Sequence, residues 1–173
     1  MTQLLRHECV RVEERRSGWA RIRTAYDYPG WVREEALADG DPSDALSRGW
    51  PGPARGGDPV AEARAYLGAP YEWGGMAERG IDCSGLVHMA YRRLGRLVPR
   101  DADQQEEAGR RVEARELRPG DLATYGDEAA THIAFWLGGG RILHSTARDG
   151  VNCVVEEKEP AELRATLRRY VRF

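Results

Sequence analysis

The sequence predicts an α+β protein in which a small antiparallel β unit precedes a larger domain of helices followed by a sheet. Residues 1–40 contain short segments that alternate between apolar and polar residues, as half-buried strands do. From residue 58 the apolar spacing is helical, and from Arg118 onward it becomes strand-like and is broken by turn residues. Helices that come first as a block favour an α+β domain over alternating βαβ units.

The first 40 residues predict three or four short strands. CVRVEE and WARIRT alternate in period two around the turn-like RRSG, and DYPGWV adds a Pro-Gly turn and an apolar pair. Between Gly40 and Pro59, nine of twenty residues are Gly or Pro, which is too many breakers for a regular element. We therefore predict a β domain at 1–40, a linker at 41–57 and a second domain at 58–173.

Two helices are predicted at the start of the second domain. Asp58 is a suitable N-cap with proline at the first helical position, and Gly68 is a suitable stop. The second helix, over about 83–94, has the clearest apolar face in the chain, with Gly95 just past its end. The later segments RPGDLATYG, HIAFWL and RILHST predict strands, with GGG as the turn between the last two.

Composition and charge exclude several classes of protein. The formal charge of -2 and the pI near 6.1 leave no basic excess for nucleic acid, and 31% charged with 41% hydrophobic residues is typical of a soluble globular protein. The opening MTQLLRHECVRVEE carries charges where a signal peptide needs an apolar core, and no apolar run reaches the ~18 residues that span a bilayer. We therefore expect a cytoplasmic protein with neither a nucleic-acid nor a membrane partner.

The cysteines indicate neither a disulfide framework nor a zinc site of the C-x-x-C kind. Cys9, Cys83 and Cys153 are odd in number and widely spaced, and this is consistent with a reducing compartment. Four histidines without paired cysteines leave catalytic zinc only as a weaker alternative, so we predict no metal and no cofactor. Cys9 and Cys153 fall in predicted strands and are expected to be packed thiols.

The segment IDCSGLV places Cys83 where a helix begins. The carboxylate of Asp82 can accept from the backbone N–H of Ser84 or Gly85 and so cap the helix. At that position the helix dipole favours the thiolate, and we expect the pKa of Cys83 to fall below its usual value of ~8.5. On this segment alone, a small buried cysteine remains an open alternative that the residues do not exclude.

His132 and His144 lie in two strands that the glycine triplet 138–140 joins. With a three-residue loop, both side chains point from the same face, within ~7–8 Å at Cβ, whereas a two- or four-residue loop would send them to opposite faces. The alternative is a pair of half-buried histidines without chemistry. The predicted cross-strand pairs are Leu137 with Arg141, Ala134 with His144, and His132 with Thr146.

A thiol, an imidazole that takes its proton and a second polar ring that orients the first are the parts of a cysteine hydrolase. The segments that would carry them, together with their flanks, resemble the NlpC-type cysteine peptidases of the bacterial cell wall, a papain-like group. The resemblance covers about 58–173 and rests on five segments in the family's order: PYEWGG, GIDCSGLV, VPRDADQQ, LRPGDL and HIAFWLGGGRILHST.

The resemblance implies a papain-like catalytic domain that cuts between D-glutamate and a diamino acid in peptidoglycan stem peptides. It implies Cys83 as the nucleophile, His132 as the general base and His144 as the orienting residue. In the same way, Tyr71 would line the oxyanion side of the site. Tyr71 and the nearby Trp73 could instead be core aromatics.

The resemblance also implies substrate contacts. Asp82 and Ser84 would contact the backbone of the stem peptide and its amino end, although Asp82 could be only the helix cap. The partners expected are therefore peptidoglycan-derived peptides, or muropeptides.

The segment GWARIRTAYDYPGWVREEALAD resembles a bacterial SH3-like domain. In the cytoplasmic recycling enzymes of this family, such a domain narrows the cleft so that only short peptides with a free N-terminal L-Ala fit. Residues 1–40 are too few for a complete SH3-like β-barrel, so either the start site is set too late or the barrel is incomplete. Tyr26 and Tyr28 could line the cleft or belong to a plain turn or core.

These observations predict a cysteine peptidase that hydrolyses the γ-D-glutamyl-L-diamino acid bond, including in short recycled peptides such as L-Ala-γ-D-Glu-diamino acid. Two alternatives stay open. One is a papain-like peptidoglycan amidase or an acyltransferase that uses the same cysteine and histidine. The other is a cell-wall peptide-binding module whose cysteine site does not turn over.

Overall fold

The structure is a computed structural model that describes residues 1–40 and 54–173, so most of the predicted linker lies outside the described residues. The helices are α1 (Pro59–Arg64), α2 (Cys83–Arg93), α3 (Ala102–Ala108) and α4 (Ala161–Arg164). The strands are β1 (Val10–Arg16), β2 (Trp19–Thr24), β3 (Pro29–Arg33), β4 (Met76–Ala77), β5 (Gly80–Ile81), β6 (Arg110–Val112), β7 (Leu122–Tyr125), β8 (His132–Gly138), β9 (Arg141–Thr146), β10 (Cys153–Lys158) and β11 (Leu167–Arg172).

The N-terminal unit is a three-stranded antiparallel sheet in the order β1-β2-β3, which confirms the predicted small β unit. Along β2 the residues alternate: Ala20 and Ile22 are buried, whereas Trp19 and Arg21 are exposed. Over the residues that the structure describes, these strands do not close into a barrel. Residues 1–40 therefore form an open sheet, one face of which carries the buried side chains of Ala20 and Ile22.

The larger domain has a six-stranded antiparallel sheet in the order β10-β9-β8-β7-β11-β6, after α1, α2 and α3. This confirms the predicted α+β class with helices before the sheet. The helix α2 packs against β8 and β9, where Leu86, Ile133, Phe135 and Leu143 are fully buried. Burying each such side chain contributes roughly 1.5–3 kcal/mol, so this contact anchors the start of α2 against the sheet.

Both ends of α2 form as the sequence predicts. The Asp82 carboxylate accepts from the backbone N–H of Gly85 at 2.6 Å, which fixes the first turn. At the other end Gly95 adopts a positive φ of 72°, its N–H donates to the carbonyl of Arg92 at 2.9 Å, and the N–H of Arg96 donates to Tyr91 at 3.0 Å. This pair of bonds is a Schellman motif, which requires a residue such as glycine at that position.

The helix α1 is shorter than predicted. Asp58 caps it by accepting from the N–H of Val60 at 2.9 Å, as expected, but the helix ends at Arg64. Beyond it the N–H groups of residues 65–67 bond three residues back, and that of Gly68 donates to Val154 in β10 at 2.9 Å. The α-helix therefore gives way to a tighter turn of the 3₁₀ kind, and Gly68 pairs with the edge strand of the sheet.

The hairpin of β8 and β9 has the predicted register with a different turn. Phe135 pairs with Leu143 and Trp136 with Ile142, as the prediction requires. The predicted pair of Leu137 with Arg141 is wrong, because Gly138 pairs with Arg141 and the register shifts between Trp136 and Gly138. The turn thus has two residues, Gly139 and Gly140, and a β-bulge at Leu137 compensates for the shorter loop.

The N-terminal unit packs on α2 through a buried cluster. Glu8 and Arg92 form an ion pair at 3.2 Å with side chains that are 3% and 1% exposed. The ring of Tyr26 packs edge-on against His88, with centroids 4.4 Å apart. The hydroxyl of Thr2 also accepts from Nε of Arg100 at 3.0 Å. The segments that flank the strands of the open sheet thus hold the N-terminal unit against the domain that carries Cys83.

Candidate active site

The thiol of Cys83 lies at the first residue of α2, beside the start of β8. The residue is 7% exposed, and the backbone N–H groups of Ile133 and Ser84 interact with its sulfur. Because Ile133 follows His132 directly, the fold brings the cysteine next to the predicted base. Among the described residues no hydrogen bond joins this sulfur to His132, as is common for catalytic pairs without substrate.

The prediction that the helix start lowers the pKa of Cys83 is wrong at this buried position. Burial raises the pKa of the thiol to about 11, and the negative charge of Asp82 acts in the same direction. The N–H groups of Ile133 and Ser84 and the charge of Arg100 lower it by less. Burial and the charge of Asp82 disfavour the thiolate more than these N–H groups and Arg100 favour it, so the neutral thiol is the resting form.

His132 and His144 lie side by side on one face of the hairpin, as predicted. A hydrogen bond of 2.8 Å joins Nε2 of His132 to Nδ1 of His144, and the two rings are nearly perpendicular at 85°. Burial, with His144 as a second cause, lowers the pKa of His132 to about 3. Burial also lowers the pKa of His144, so both imidazoles are neutral at pH 7.

The structure adds Glu157 to this pair. Nε2 of His144 lies 2.9 Å from Oε1 of Glu157, and Arg148 donates to both oxygens of the same carboxylate. Glu157 lies on β10, where Val155 is the residue opposite His144. A glutamate two positions beyond a cross-strand partner shares its face, but this signal needs the register of β10, which the sequence does not fix.

The carboxylate of Asp82 is fully engaged within the protein. Arg100 donates to both of its oxygens at 2.9 Å, and the N–H of Gly74 donates at 2.7 Å. The guanidinium of Arg100 is completely buried. Asp82 is thus both the helix cap and the centre of a buried ion pair, and its predicted contact with substrate stays a prediction.

Gly85, in the motif around Cys83, is required by a close approach of the backbone. A Cβ atom at this position would lie 2.3 Å from the carbonyl oxygen of Gly75, which is far inside contact distance. The same carbonyl accepts from Arg100 at 3.1 Å. Glycine therefore allows the loop before β4 to close over the first turn of α2.

Ser84 is buried beside Asp82. Its hydroxyl accepts from Arg100 at 2.9 Å and lies 3.4 Å from the Asp82 carboxylate. The side chain of Gln105 donates to the carbonyl of Ser84 at 3.0 Å. Arg100 and Gln105 both come from the segment VPRDADQQ, which the sequence marked only as part of a resemblance. The substrate role of Ser84 also stays a prediction.

The two aromatic residues of PYEWGG lie in different environments. Tyr71 is half-buried, and burial, the charge of Cys83 and that of Asp82 raise its pKa to about 12. The phenol is therefore protonated and within electrostatic reach of the sulfur. Trp73 is 69% exposed, which rules out a place in the core.

A cavity of about 250 Å³ borders both histidines. Pro160 and Leu163 give it an apolar wall, and Glu162 contributes a carboxylate. The remaining lining residues are His132, His144, Thr146, Arg148 and Thr166.

Other predicted residues lie outside this group. Tyr26 packs on α2, and the hydroxyl of Tyr28 accepts from the amino group of Met1 at 2.9 Å. Cys9 is exposed and not packed, because it directly precedes the edge strand β1, whereas Cys153 is partly buried.

Within the described part of the chain, no cluster of three or more His, Cys, Asp or Glu side chains is placed to hold a metal ion. No helix in residues 1–40 or 54–173 is long and apolar enough to cross a membrane.

Comparison with known proteins gives two family matches. Residues 68–168 match the NlpC/P60 family, and residues 1–37 match the bacterial dipeptidyl-peptidase SH3 domain. The chain is 37% identical to a γ-D-glutamyl-L-lysine dipeptidyl-peptidase of Bacillus subtilis over 92 residues, or 51% of this chain and 31% of that protein. It is 40% identical to a bifunctional muramidase/DL-endopeptidase of the same organism over 91 residues, or 50% of this chain and 28% of that protein. The matches thus span about a third of these relatives.

Solved structures show the same fold. An NlpC/P60 family protein from Bacillus cereus superposes with a TM-score of 0.64 over 95% of this chain and 53% of its own, at 22% identity. RipD of Mycobacterium tuberculosis, described as a non-catalytic NlpC/p60 domain protein adapted to peptidoglycan binding, superposes with a TM-score of 0.57. That match has 26% identity and covers 66% of this chain and 94% of RipD. The chain belongs to the NlpC/P60 family, whose peptidases are cysteine hydrolases.

Proposed function

We propose that this chain is a cysteine peptidase that hydrolyses the γ-D-glutamyl-L-diamino acid bond of peptidoglycan stem peptides, including L-Ala-γ-D-Glu-diamino acid tripeptides. The observation that carries the proposal is Cys83 at the start of α2 beside a hairpin whose histidines are hydrogen-bonded at 2.8 Å. The bond cleaved by the Bacillus subtilis γ-D-glutamyl-L-lysine dipeptidyl-peptidase supports this choice of bond.

The reaction is acyl transfer to water. Sγ of Cys83 attacks the γ-glutamyl carbonyl carbon while His132 takes the thiol proton. The backbone N–H of Cys83 and the phenol of Tyr71 stabilise the oxyanion. The C–N bond then breaks as His132 gives the proton to the leaving amine. Water hydrolyses the thioester with His132 as its base, which regenerates the thiol.

The pKa directions constrain when the proton moves. Burial holds Cys83 as a thiol and His132 as a neutral imidazole. A thiolate or an imidazolium alone would be costly in this dry site, whereas opposite charges formed together stabilise each other. We therefore place proton transfer in the step in which the sulfur attacks the carbonyl.

The substrate would lie across Cys83. Its amino end would lie towards Asp82 and Ser84, and the leaving diamino acid would enter the cavity beside His132. The apolar wall of that cavity suits the aliphatic part of a diamino acid, and Glu162 at its lining suits an ammonium group.

The first experiment is turnover of L-Ala-γ-D-Glu-L-Lys and of an intact muropeptide, with product masses as the readout. Cys83→Ala should lower turnover by at least ~10³-fold, the scale seen when a catalytic unit loses one member. Cys9→Ala is the matched control and should keep full activity, because Cys9 is exposed and outside the site. Normal activity in Cys83→Ala would disprove the proposal.

A second candidate function is peptide binding without turnover, which the similarity to non-catalytic RipD favours. Saturable binding of the tripeptide by the wild-type protein, with no products after long incubation, would establish it. Products of another mass would instead indicate an amidase, and transfer of the acyl group to an added amine would indicate an acyltransferase.

A further inference from the structure

The two histidines of the site share one hydrogen bond, and this couples their tautomers. A neutral imidazole has one N–H donor and one acceptor nitrogen. In the bond between Nε2 of His132 and Nδ1 of His144, one nitrogen must donate and the other accept. Only two arrangements are therefore possible, and the choice at either ring decides the other.

Glu157 decides between these two arrangements. Its carboxylate can only accept from Nε2 of His144, 2.9 Å away, so that nitrogen must carry the proton. Nδ1 of His144 is then an acceptor, and Nε2 of His132 must be the donor. The remaining nitrogen, Nδ1 of His132, keeps its lone pair and is the one that can accept a proton.

The opposite arrangement would prevent the reaction proposed above. If Nε2 of His144 were an acceptor, its Nδ1 would carry the proton and donate to Nε2 of His132. Nδ1 of His132 would then hold a proton already and have no lone pair for the thiol of Cys83.

The surroundings keep Glu157 ionised and in place. Its partial burial raises the pKa, but the hydrogen bonds from His144 and Arg148 outweigh this and leave the pKa below its usual value. One Nη atom of Arg148 donates to both oxygens of the carboxylate, and it lies 2.6 Å from Oε1. The antiparallel register of β10 with β9 fixes the position of Glu157 in the backbone.

We propose that Glu157 is a positioning residue that sets the tautomers of His144 and His132, so that Nδ1 of His132 is unprotonated when substrate binds. It acts through His144 and touches neither substrate nor the sulfur. The benefit to turnover rests on the proposed function, whereas the tautomers themselves are a property of the resting protein.

The first test needs no substrate and no variant. In histidine-¹⁵N-labelled wild-type protein at pH 7, NMR nitrogen shifts distinguish protonated from unprotonated ring nitrogens. We expect His132 and His144 both to carry the proton on Nε2 alone. A proton on Nδ1 of either ring would overturn the proposal, whether or not the protein is a peptidase.

The second test is Glu157→Leu, whose side chain cannot accept from Nε2 of His144 and so removes the group that fixes its proton. We expect an Nδ1 proton to appear on His132 in part of the molecules. We also expect kcat to fall at least about twofold with KM nearly unchanged, well short of the ~10⁴-fold loss when the residue beside the base is changed. Glu156→Leu is the matched control, because Glu156 accepts from Arg64 at 2.6 Å and not from a histidine. Unchanged tautomers and kcat in Glu157→Leu would overturn the proposal.

Discussion

At the scale of single residues, burial decides the charge of the chemical groups. The same dry environment raises the pKa of the Cys83 thiol to about 11 and lowers that of His132 to about 3. The cost of ionising either group alone at pH 7 is therefore high, which is why the proposed mechanism ionises them in one step. Bound substrate excludes water from the cleft, so it lowers the free-energy cost of ionising Cys83 or His132 less than bulk water would.

The two histidines are expected to differ in importance. His132→Ala removes the proton acceptor, whereas His144→Gln keeps a side-chain oxygen that can accept from Nε2 of His132. We expect kcat/KM for the tripeptide to fall much further in His132→Ala than in His144→Gln. His7→Gln is the control, since His7 is exposed and lies outside the site. Equal and negligible losses in the two site variants would contradict their assigned roles.

The buried His88 predicts a loss of stability in mild acid. Burial lowers the pKa of His88 to about 4, and its Nδ1 lies 2.8 Å from the carbonyl oxygen of Val98. The unfolded chain binds a proton near pH 6.5 and the folded chain only near pH 4, so stability is complete above pH 6.5 and declines as the pH falls towards 4. The contribution of this one group is about 2–3 kcal/mol.

The check is urea unfolding of wild type and His88→Gln at pH 7 and at pH 4.5. The variant should lose less stability between the two pH values, by about 2–3 kcal/mol. His132 and His144 act in the same direction and remain in both proteins, so the variant keeps part of the dependence. An identical loss in both proteins would show that His88 is not the titrating group.

At the scale of elements, the turn of the β8–β9 hairpin depends on left-handed glycines. Gly139 has a φ of 59°, and a Cβ atom there would meet no atom within 4 Å. Gly139→Ala should therefore destabilise the fold only through its backbone, by about 1–2 kcal/mol. Gly139→Asn should cost less, because asparagine tolerates this conformation. Denaturant midpoints test the pair, and equal values for alanine and asparagine would contradict the explanation.

The sequence predicts this hairpin well but not the third strand beside it. Period-two alternation and the glycine triplet are local signals, and they predict His132 and His144 on one face. The bulge at Leu137, and not the predicted three-residue loop, keeps them there. Glu157 was missed because the register of β10 depends on the connection 147–152, whose length and composition do not fix a pairing. Arg100 was missed for a similar reason, since no periodicity predicts where a side chain points from a loop.

At the scale of the whole molecule, a buried ion pair joins the segment before β1 to the larger domain. Glu8→Ala leaves the buried guanidinium of Arg92 without the carboxylate of Glu8, at a cost of about 3–5 kcal/mol. Replacing both Glu8 and Arg92 with leucine should cost clearly less, since no uncompensated charge then remains. Thermal unfolding of the single and double variants tests this. A single variant as stable as wild type would mean that the pair contributes nothing.

The overall architecture and family could be predicted because their signals are spread along the chain. Each local signal predicts one element: the caps at Asp58 and Asp82, the stop at Gly95 and the alternating strands. The five segments together predict the family. The protonation state of Cys83 could not be predicted in this way. The sequence shows where a helix starts. It does not show how far the sheet and the loop before β4 exclude water from that helix start.

The bulge at Leu137 has a consequence for comparing related chains. A chain with one residue fewer between its two histidines could lose the bulge, keep a two-residue turn and still place both rings on one face. The spacing of 12 positions between His132 and His144 is therefore not a strict requirement of the chemistry. Homologues should be sorted by cross-strand register and not by the count of residues between their histidines.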